Sequence, residues 1–306
     1  MARYIIKRCL QALPVLFGVS TLVFFLIHFI PGDPVDMMLG ENALPANKEA
    51  LREQLGLHLP LLSQYGEFLK GILQGDFGVS IYSKRSVFEV IFERAPATIL
   101  LMLLSMSFAI SFALPLGITA ALKKGTWVDQ LAMLVSLVGI SIPTFWMGPL
   151  LILLFSIELG WFPVSERSGF SSYILPSFTL GLAMAAMIAR MSRSSMLEVL
   201  KQDFVVTARA KGLLERTVIL KHALKNALVP VITILGLQVG SLLSGSIITE
   251  TIFDWPGIGS LIYQAIQTRD YPMVQGCVLV IATSYVVVNL LTDIAYAVAN
   301  PRIRLE

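Results

Sequence analysis

Six stretches of the chain, 9–30, 97–122, 130–157, 170–189, 227–249 and 271–292, hold no Asp, Glu, Lys or Arg and read as nearly unbroken apolar runs. About 20 apolar residues are needed for a helix to cross a bilayer's hydrocarbon core, and each run is that long. None alternates apolar with polar positions, so helices are expected and a membrane barrel is not. The pattern predicts an all-α integral membrane protein with six transmembrane helices.

The intervening segments have patterns of their own. Residues 31–96 are too polar to span and predict a small helical segment. A Pro-Gly-Asp-Pro turn opens it at 31–34. Asn47 is placed to cap a helix that runs to Leu55 and closes at Gly56. Leu61, Leu62, Tyr65, Phe68, Leu69 and Ile72 share one helical face. Ser86 and Glu89 have capping-box spacing at the start of the helix leading into the second span. Residues 190–226 form a basic insert, with eight Lys or Arg against Glu198, Asp203 and Glu215. Ser195 and Glu198 again have capping-box spacing. A short helix at 207–211 is expected to stop at Gly212. A second helix then starts at Glu215, with Leu214, Val218, Leu224 and Leu228 on one side.

Composition narrows the class. Apolar residues make up 56% and charged residues 14% of the 306, too few charges to coat a water-facing domain. The net charge of +3 gives no case for a nucleic-acid partner. The placement of charge is more telling. With the N-terminus in the cytoplasm, fifteen of the 23 Lys and Arg fall on the inner side, and the short outer loops keep only Arg167 and Arg269. Both termini and the basic insert are therefore expected in the cytoplasm, and 31–96 outside. The apolar run after Arg8 is too long for a cleaved signal sequence. Cys9 and Cys277 make no disulfide framework or metal spacing, and His28 and His58 are isolated.

Some features stay open at this level. Pro14, Pro115, Pro143, Pro149, Pro176 and Pro230 fall in or near the spans, as gating kinks or as ordinary membrane-helix prolines. Gly236, Gly240, Ser241, Ser244, Gly245 and Ser246 serve either close packing or a polar path that Gln238, Ser241 and Ser244 would line. Ser141 and Thr144 in the third span are the alternative path-lining pair. Asp293 is either path-related or interfacial. For the insert, lipid contact, DNA binding and a socket for a cytoplasmic protein compete. Its length, its patterning and its tethering at both ends to the membrane favour the socket.

Here the sequence resembles a known family. TARAKG at 207–212, KHALKNA at 221–227 and the later Pro230 resemble the cytoplasmic loop of type I binding-protein-dependent ABC importer permeases, in the peptide/nickel branch. IPGDP at 30–34, GDFGVS at 75–80, IPTFW at 142–146, FDWPGIG at 253–259, RDYP at 269–272 and NPRIR at 300–304 extend the resemblance along the chain, closest in look to dipeptide permeases. Val206, Thr207 and Ala208 stand where the wider family has Glu-Ala-Ala.

The resemblance implies a type I permease fold. Residues 1–30 would hold the cytoplasmic N-terminus and first helix, 31–96 the extracytoplasmic segment, and 97–300 the five-helix core with its coupling loop at 190–226. Residues 301–306 would be a cytoplasmic tail. It implies ATPase coupling at Thr207, Ala208, Arg209, Ala210, Lys211, Gly212, His222 and Asn226. The small residues would seat in a partner's groove, and Arg209 and Lys211 would meet its acids. It implies no cofactor in this chain, which lacks a G-x-x-x-x-G-K-[ST] loop. ATP and Mg would be bound by two ABC ATPase subunits, alongside a paralogous second permease, an extracytoplasmic solute-binding protein and membrane lipid. The expected function is ATP-driven import of di- or oligopeptides across the bacterial inner membrane by alternating access. Glutathione or a nickel or other metal chelate is the alternative cargo. An ion-coupled secondary transporter would need repeats and intramembrane charges, and an intramembrane enzyme a catalytic set, neither of which the spans supply.

Overall fold

The computed structural model describes residues 2–29, 34–40, 43–54, 56–164 and 169–299. The expected turn at 31–33 and the tail at 301–306 lie outside them. In chain order the helices are α1 (Ala2–Phe29), α2 (Pro34–Leu39), α3 (Pro45–Gln54), α4 (Leu61–Gln74), α5 (Val87–Leu122), α6 (Trp127–Ser141), α7 (Thr144–Leu151), α8 (Ile174–Val199), α9 (Asp203–Ala210), α10 (Glu215–Thr217), α11 (Leu224–Ile252), α12 (Ile258–Gln267) and α13 (Tyr271–Ala299). A π-helical turn, Ile152–Glu158, follows α7, a 3-10 turn, Phe170–Tyr173, precedes α8, and a second π turn, Val218–Ala223, joins α10 to α11. Among the described residues the β pairing is one isolated bridge, Val79 with Ser86.

Five helical stretches are long and apolar enough to cross a membrane, and a bent pair makes the sixth. That pair corrects the expectation of one continuous helix over 130–157. α6 and α7 meet at 102°. Ile142, the residue before Pro143, is extended (φ −84°, ψ 119°), because proline's ring clashes with a helical predecessor. α5 starts directly after Ser86, as the Ser86 and Glu89 spacing predicted, and outruns its apolar stretch. It begins ten residues before the apolar run and has 36 residues, about 54 Å at 1.5 Å per residue, well over a ~30 Å hydrocarbon core. Glu89 pairs with Arg85 at 3.0 Å.

The chain clusters into two compact units, 2–98 with 256–287 and 99–255 with 288–299. In the first, α4 lies on α1. Phe24 packs on Tyr65 and Phe68, with ring centroids 5.2 and 5.5 Å apart, and the Thr21 and Tyr65 hydroxyls share a hydrogen bond of 2.6 Å. Leu61 and Leu62, expected on this face, point outward instead. α3 starts at Pro45, so Asn47 sits inside its first turn and is no cap. Proline suits that opening position, where no amide hydrogen is needed.

Asp270 ties this unit together. Its buried carboxylate accepts hydrogen bonds from the Ser80 hydroxyl (2.5 Å), the Ile81 and Tyr82 amides (3.2 and 3.3 Å) and the Met273 amide (3.3 Å). It thus caps α13 and holds the 78–87 turn. Left-handed backbone at Lys84 (φ 57°) and Arg269 (φ 54°) flanks the clamp. GDFGVS and RDYP, two motifs far apart in sequence, meet here. Asp270→Ala would orphan three donors of the turn, at about 1–3 kcal/mol each. Amide hydrogen exchange at 78–87 is expected to rise at least tenfold, with α4 unchanged. Equal rates in both proteins would refute the clamp.

In the second unit, α8 packs on α6, α7 and α11. Arg193 of α8 grips Asp129 of α6 with two hydrogen bonds, Nε to Oδ1 (2.5 Å) and Nη2 to Oδ2 (2.7 Å). The Gly125 amide also donates to Oδ2, at 3.0 Å. α11 meets the end of α13 at Gly236, where any Cβ would overlap the Thr292 side chain. At this position the small-residue stripe of the fifth span is a packing device.

Candidate functional site

The basic insert folds as expected in outline. α8 runs through Ser195 to Val199, so Ser195 and Glu198 open no new helix. The chain turns at Leu200–Gln202 and enters α9. Asp203 stands in the first turn of α9, where a negative charge favours the helix dipole. The Thr207 hydroxyl donates to the Asp203 carbonyl at 2.8 Å. Gly212 takes the left-handed conformation (φ 72°). Its amide donates to the Arg209 carbonyl at 2.9 Å, and the Leu213 amide to the Ala208 carbonyl at 3.4 Å. This is the glycine stop that the sequence called for. α10, the π turn and α11 then follow as one continuous run of helix.

Beneath the insert lies a buried cluster of Ala121, Met196, Val199, Val205, Ala208, Val218, Ala223 and Ala227. Val205 and Ala208 are three apart and therefore share the inner side of α9. This corrects the expectation that the Ala208 side chain seats in a partner's groove, since its neighbours are on this chain. Arg209 is also engaged. It donates to Glu215 through Nε to Oε2 (3.1 Å) and Nη2 to Oε1 (2.6 Å), bridging the Gly212 turn. Hydrogen bonding to Glu215 raises the already high pKa of Arg209. Thr207, Ala210, Lys211 and Gly212 are exposed, and His222 is half-buried. The Asn226 amide donates to the His222 carbonyl at 2.9 Å.

The outer side of the insert is more apolar than its charge count suggests. Phe204 is 39% exposed, Val206 56%, Leu213 41% and Leu214 77%. Leu214 therefore does not join Val218, Leu224 and Leu228. None of these four was singled out as outward-facing. The available signal was that apolar residues flank the buried pair Val205 and Ala208 on both sides. A small rigid helix with buried footing and an exposed apolar rim has the chemistry of a docking element.

The candidate path residues are not gathered into one place. Gln238 is half-buried on α11, and no hydrogen bond joins its amide to a described residue. Ser141 is exposed and bonds its own helix at the Leu137 carbonyl, 2.8 Å away. Thr144 opens α7, so Ser141 and Thr144 flank the 102° break. The side chains of Ser241, Ser244 and Asp293 lie outside the described part of the structure. Ser246 is buried and bonds the Leu243 carbonyl at 2.9 Å, as a packing residue would.

Comparison with known proteins agrees with this architecture. Residues 113–305 match the family described as binding-protein-dependent transport system inner membrane component, and residues 1–102 match the N-terminal family of the same systems. The chain is 45% identical over 306 residues, covering all of both chains, to the glutathione transport system permease protein GsiC of Escherichia coli K12 and of Shigella dysenteriae. Among solved structures it resembles inward-facing forms of the MetNI methionine ABC transporter. Their TM-scores are 0.58 and 0.56 at 17% and 16% identity, over 69% of this chain and 96% of theirs. At that identity the likeness speaks for the fold.

Proposed function

The chain belongs to the family of binding-protein-dependent transport system inner membrane components, and we propose that this permease imports glutathione or a short peptide of its kind. It is a permease subunit of an ABC importer with the type I fold, and such a permease works with a binding protein and an ATPase. The substrate reading rests on one observation, the end-to-end 45% identity to glutathione permeases. Glutathione is itself a tripeptide, so this reading narrows the di- and oligopeptide expectation and keeps its chemistry.

In this proposal the assembly holds this chain, a paralogous permease, two ATPase subunits that bind ATP and Mg, and an outer solute-binding protein. Both termini and the insert face the cytoplasm, as the Lys and Arg bias supports. The ATPases act on α9 through its exposed apolar rim, and the buried cluster beneath it passes the motion to the ends of α5, α8 and α11. The polar path that alternates between the two sides would run by the broken α6–α7 pair and Gln238, whose amide bonds no described residue. Neutral groups there bind a zwitterionic backbone without trapping it. Uptake of labelled glutathione into cells expressing the whole importer is the test. Excess glutathione is expected to suppress the signal at least tenfold more effectively than dialanine. Equal suppression by dialanine would return the assignment to dipeptides.

A further inference from the structure

A cavity of about 570 Å3 opens within the first unit, among α1, the end of α3, α4 and the start of α13. That volume suits a small ligand or a few residues of another chain. Its walls are fixed in advance. The Gln64 amide donates to the Leu57 and Leu59 carbonyls at 3.3 and 2.8 Å, pinning the turn before α4. The Gln275 amide donates to the Val23 carbonyl at 3.2 Å, pinning α13 to α1. Phe24, Phe68 and Leu279 supply apolar lining, while Glu53, Glu67 and Asp76 are exposed around it. The lining includes His58 but no Lys or Arg. Glu53 and Glu67 enter no ion pair with a described residue. Asp76 accepts the nearby Gly78 amide at 2.9 Å and enters no ion pair with a described residue.

Three carboxylates that pair with no described cation, beside the aromatic lining of Phe24 and Phe68, complement a cation carried on an apolar stem. Charge also separates the candidate occupants. Glutathione has two carboxylates and one ammonium near neutral pH and is net negative, so this site repels it. The other partner on the outer side is the binding protein. We propose that the cavity is the socket for a lysine or arginine, flanked by apolar residues, on the binding protein that delivers substrate. This rests on the reading above for the outward orientation of 31–96 and for the substrate's charge.

The test uses the assembled importer in liposomes, titrated with its own binding protein while ATP hydrolysis is followed. With Glu53→Gln, Glu67→Gln and Asp76→Asn combined, the half-stimulating concentration of binding protein is expected to rise at least tenfold in low salt. Glu67→Lys added to this background should raise it further. The difference should shrink severalfold in 0.5 M salt, where exposed charges are screened, and basal hydrolysis should be unchanged. An unaltered half-stimulating concentration would overturn the socket. So would a shift equally large in high salt, which would signal distorted packing. Saturable binding of free trilysine to the importer without its binding protein, lost in the triple variant, would assign the cavity to a soluble ligand instead. These outcomes do not depend on whether glutathione is transported, so the two proposals fail separately.

Discussion

Arg193→Ala is expected to destabilise the permease strongly, although the side chain it removes is partly exposed. Asp129 is 4% exposed and receives both Arg193 hydrogen bonds and the Gly125 amide. Removing the guanidinium strands a buried carboxylate against two packed helices. Breaking such a pair costs about 3–5 kcal/mol, and the low end applies because the Arg193 side chain keeps 25% exposure. About 3 kcal/mol is roughly a hundredfold in the ratio of folded to unfolded protein. Arg193→Lys should recover only part of this, since a point charge cannot reproduce the two-pronged contact. Asp129→Asn combined with Arg193→Gln should lie closer to wild type than Arg193→Ala alone, because no buried charge is left unpaired. Thermal unfolding of the purified protein in detergent measures all three. An Arg193→Ala midpoint equal to wild type would dismiss the pair as a surface contact.

The sequence made some of this legible and hid the rest for identifiable reasons. Spans are easy to read because lipid demands unbroken apolar length, and the runs ending at Leu122 and beginning at Tyr271 recur as helix boundaries. Gly212 is readable because few residues other than glycine take its backbone conformation cheaply. The Asp129–Arg193 pair is 64 residues apart, and no local pattern reports a contact made by two helices crossing. The start of α5 was legible from the Ser86 and Glu89 spacing, for the helix opens at Val87. Glu89, Glu93 and Arg94 end the apolar run without ending the helix, so hydropathy alone would have started it too late. Pro143 was visible, but a mid-span proline is compatible with a slight kink or a full break. The 102° angle depends on what packs around it. Capping signals are local and therefore ambiguous. Ser195 with Glu198 satisfies the spacing in the middle of α8, where no helix end needs a cap.

The orientation of α9 was misread for a related reason, and it sets the sharpest test of the coupling element. Ala208 and Gly212 look alike as small residues in sequence, yet one is buried and the other open to solvent. Two sets of substitutions should therefore separate footing from docking surface. Ala208→Leu adds three carbons to a filled cluster and should cost about 1–3 kcal/mol by overpacking, lowering the unfolding temperature with or without an ATPase present. Leu214 is 77% and Phe204 39% exposed and neither belongs to the buried cluster, so Phe204→Asp with Leu214→Asp should lower the unfolding temperature of the isolated permease less than Ala208→Leu does. If these side chains are anchors, each carries about 2 kcal/mol or more of the partner interface. A carboxylate forced into that interface without a partner adds a desolvation penalty. The double variant is expected to lose at least a hundredfold in ATPase affinity and to drop uptake to background. Co-purification of the ATPase subunits with each variant, beside unfolding of the permease alone, reads the two effects independently. Full ATPase retention by the Phe204/Leu214 variant would move the docking surface away from the rim of α9. The exposed cations Lys211, Arg216, Lys221 and Lys225 would then be the next group to neutralise.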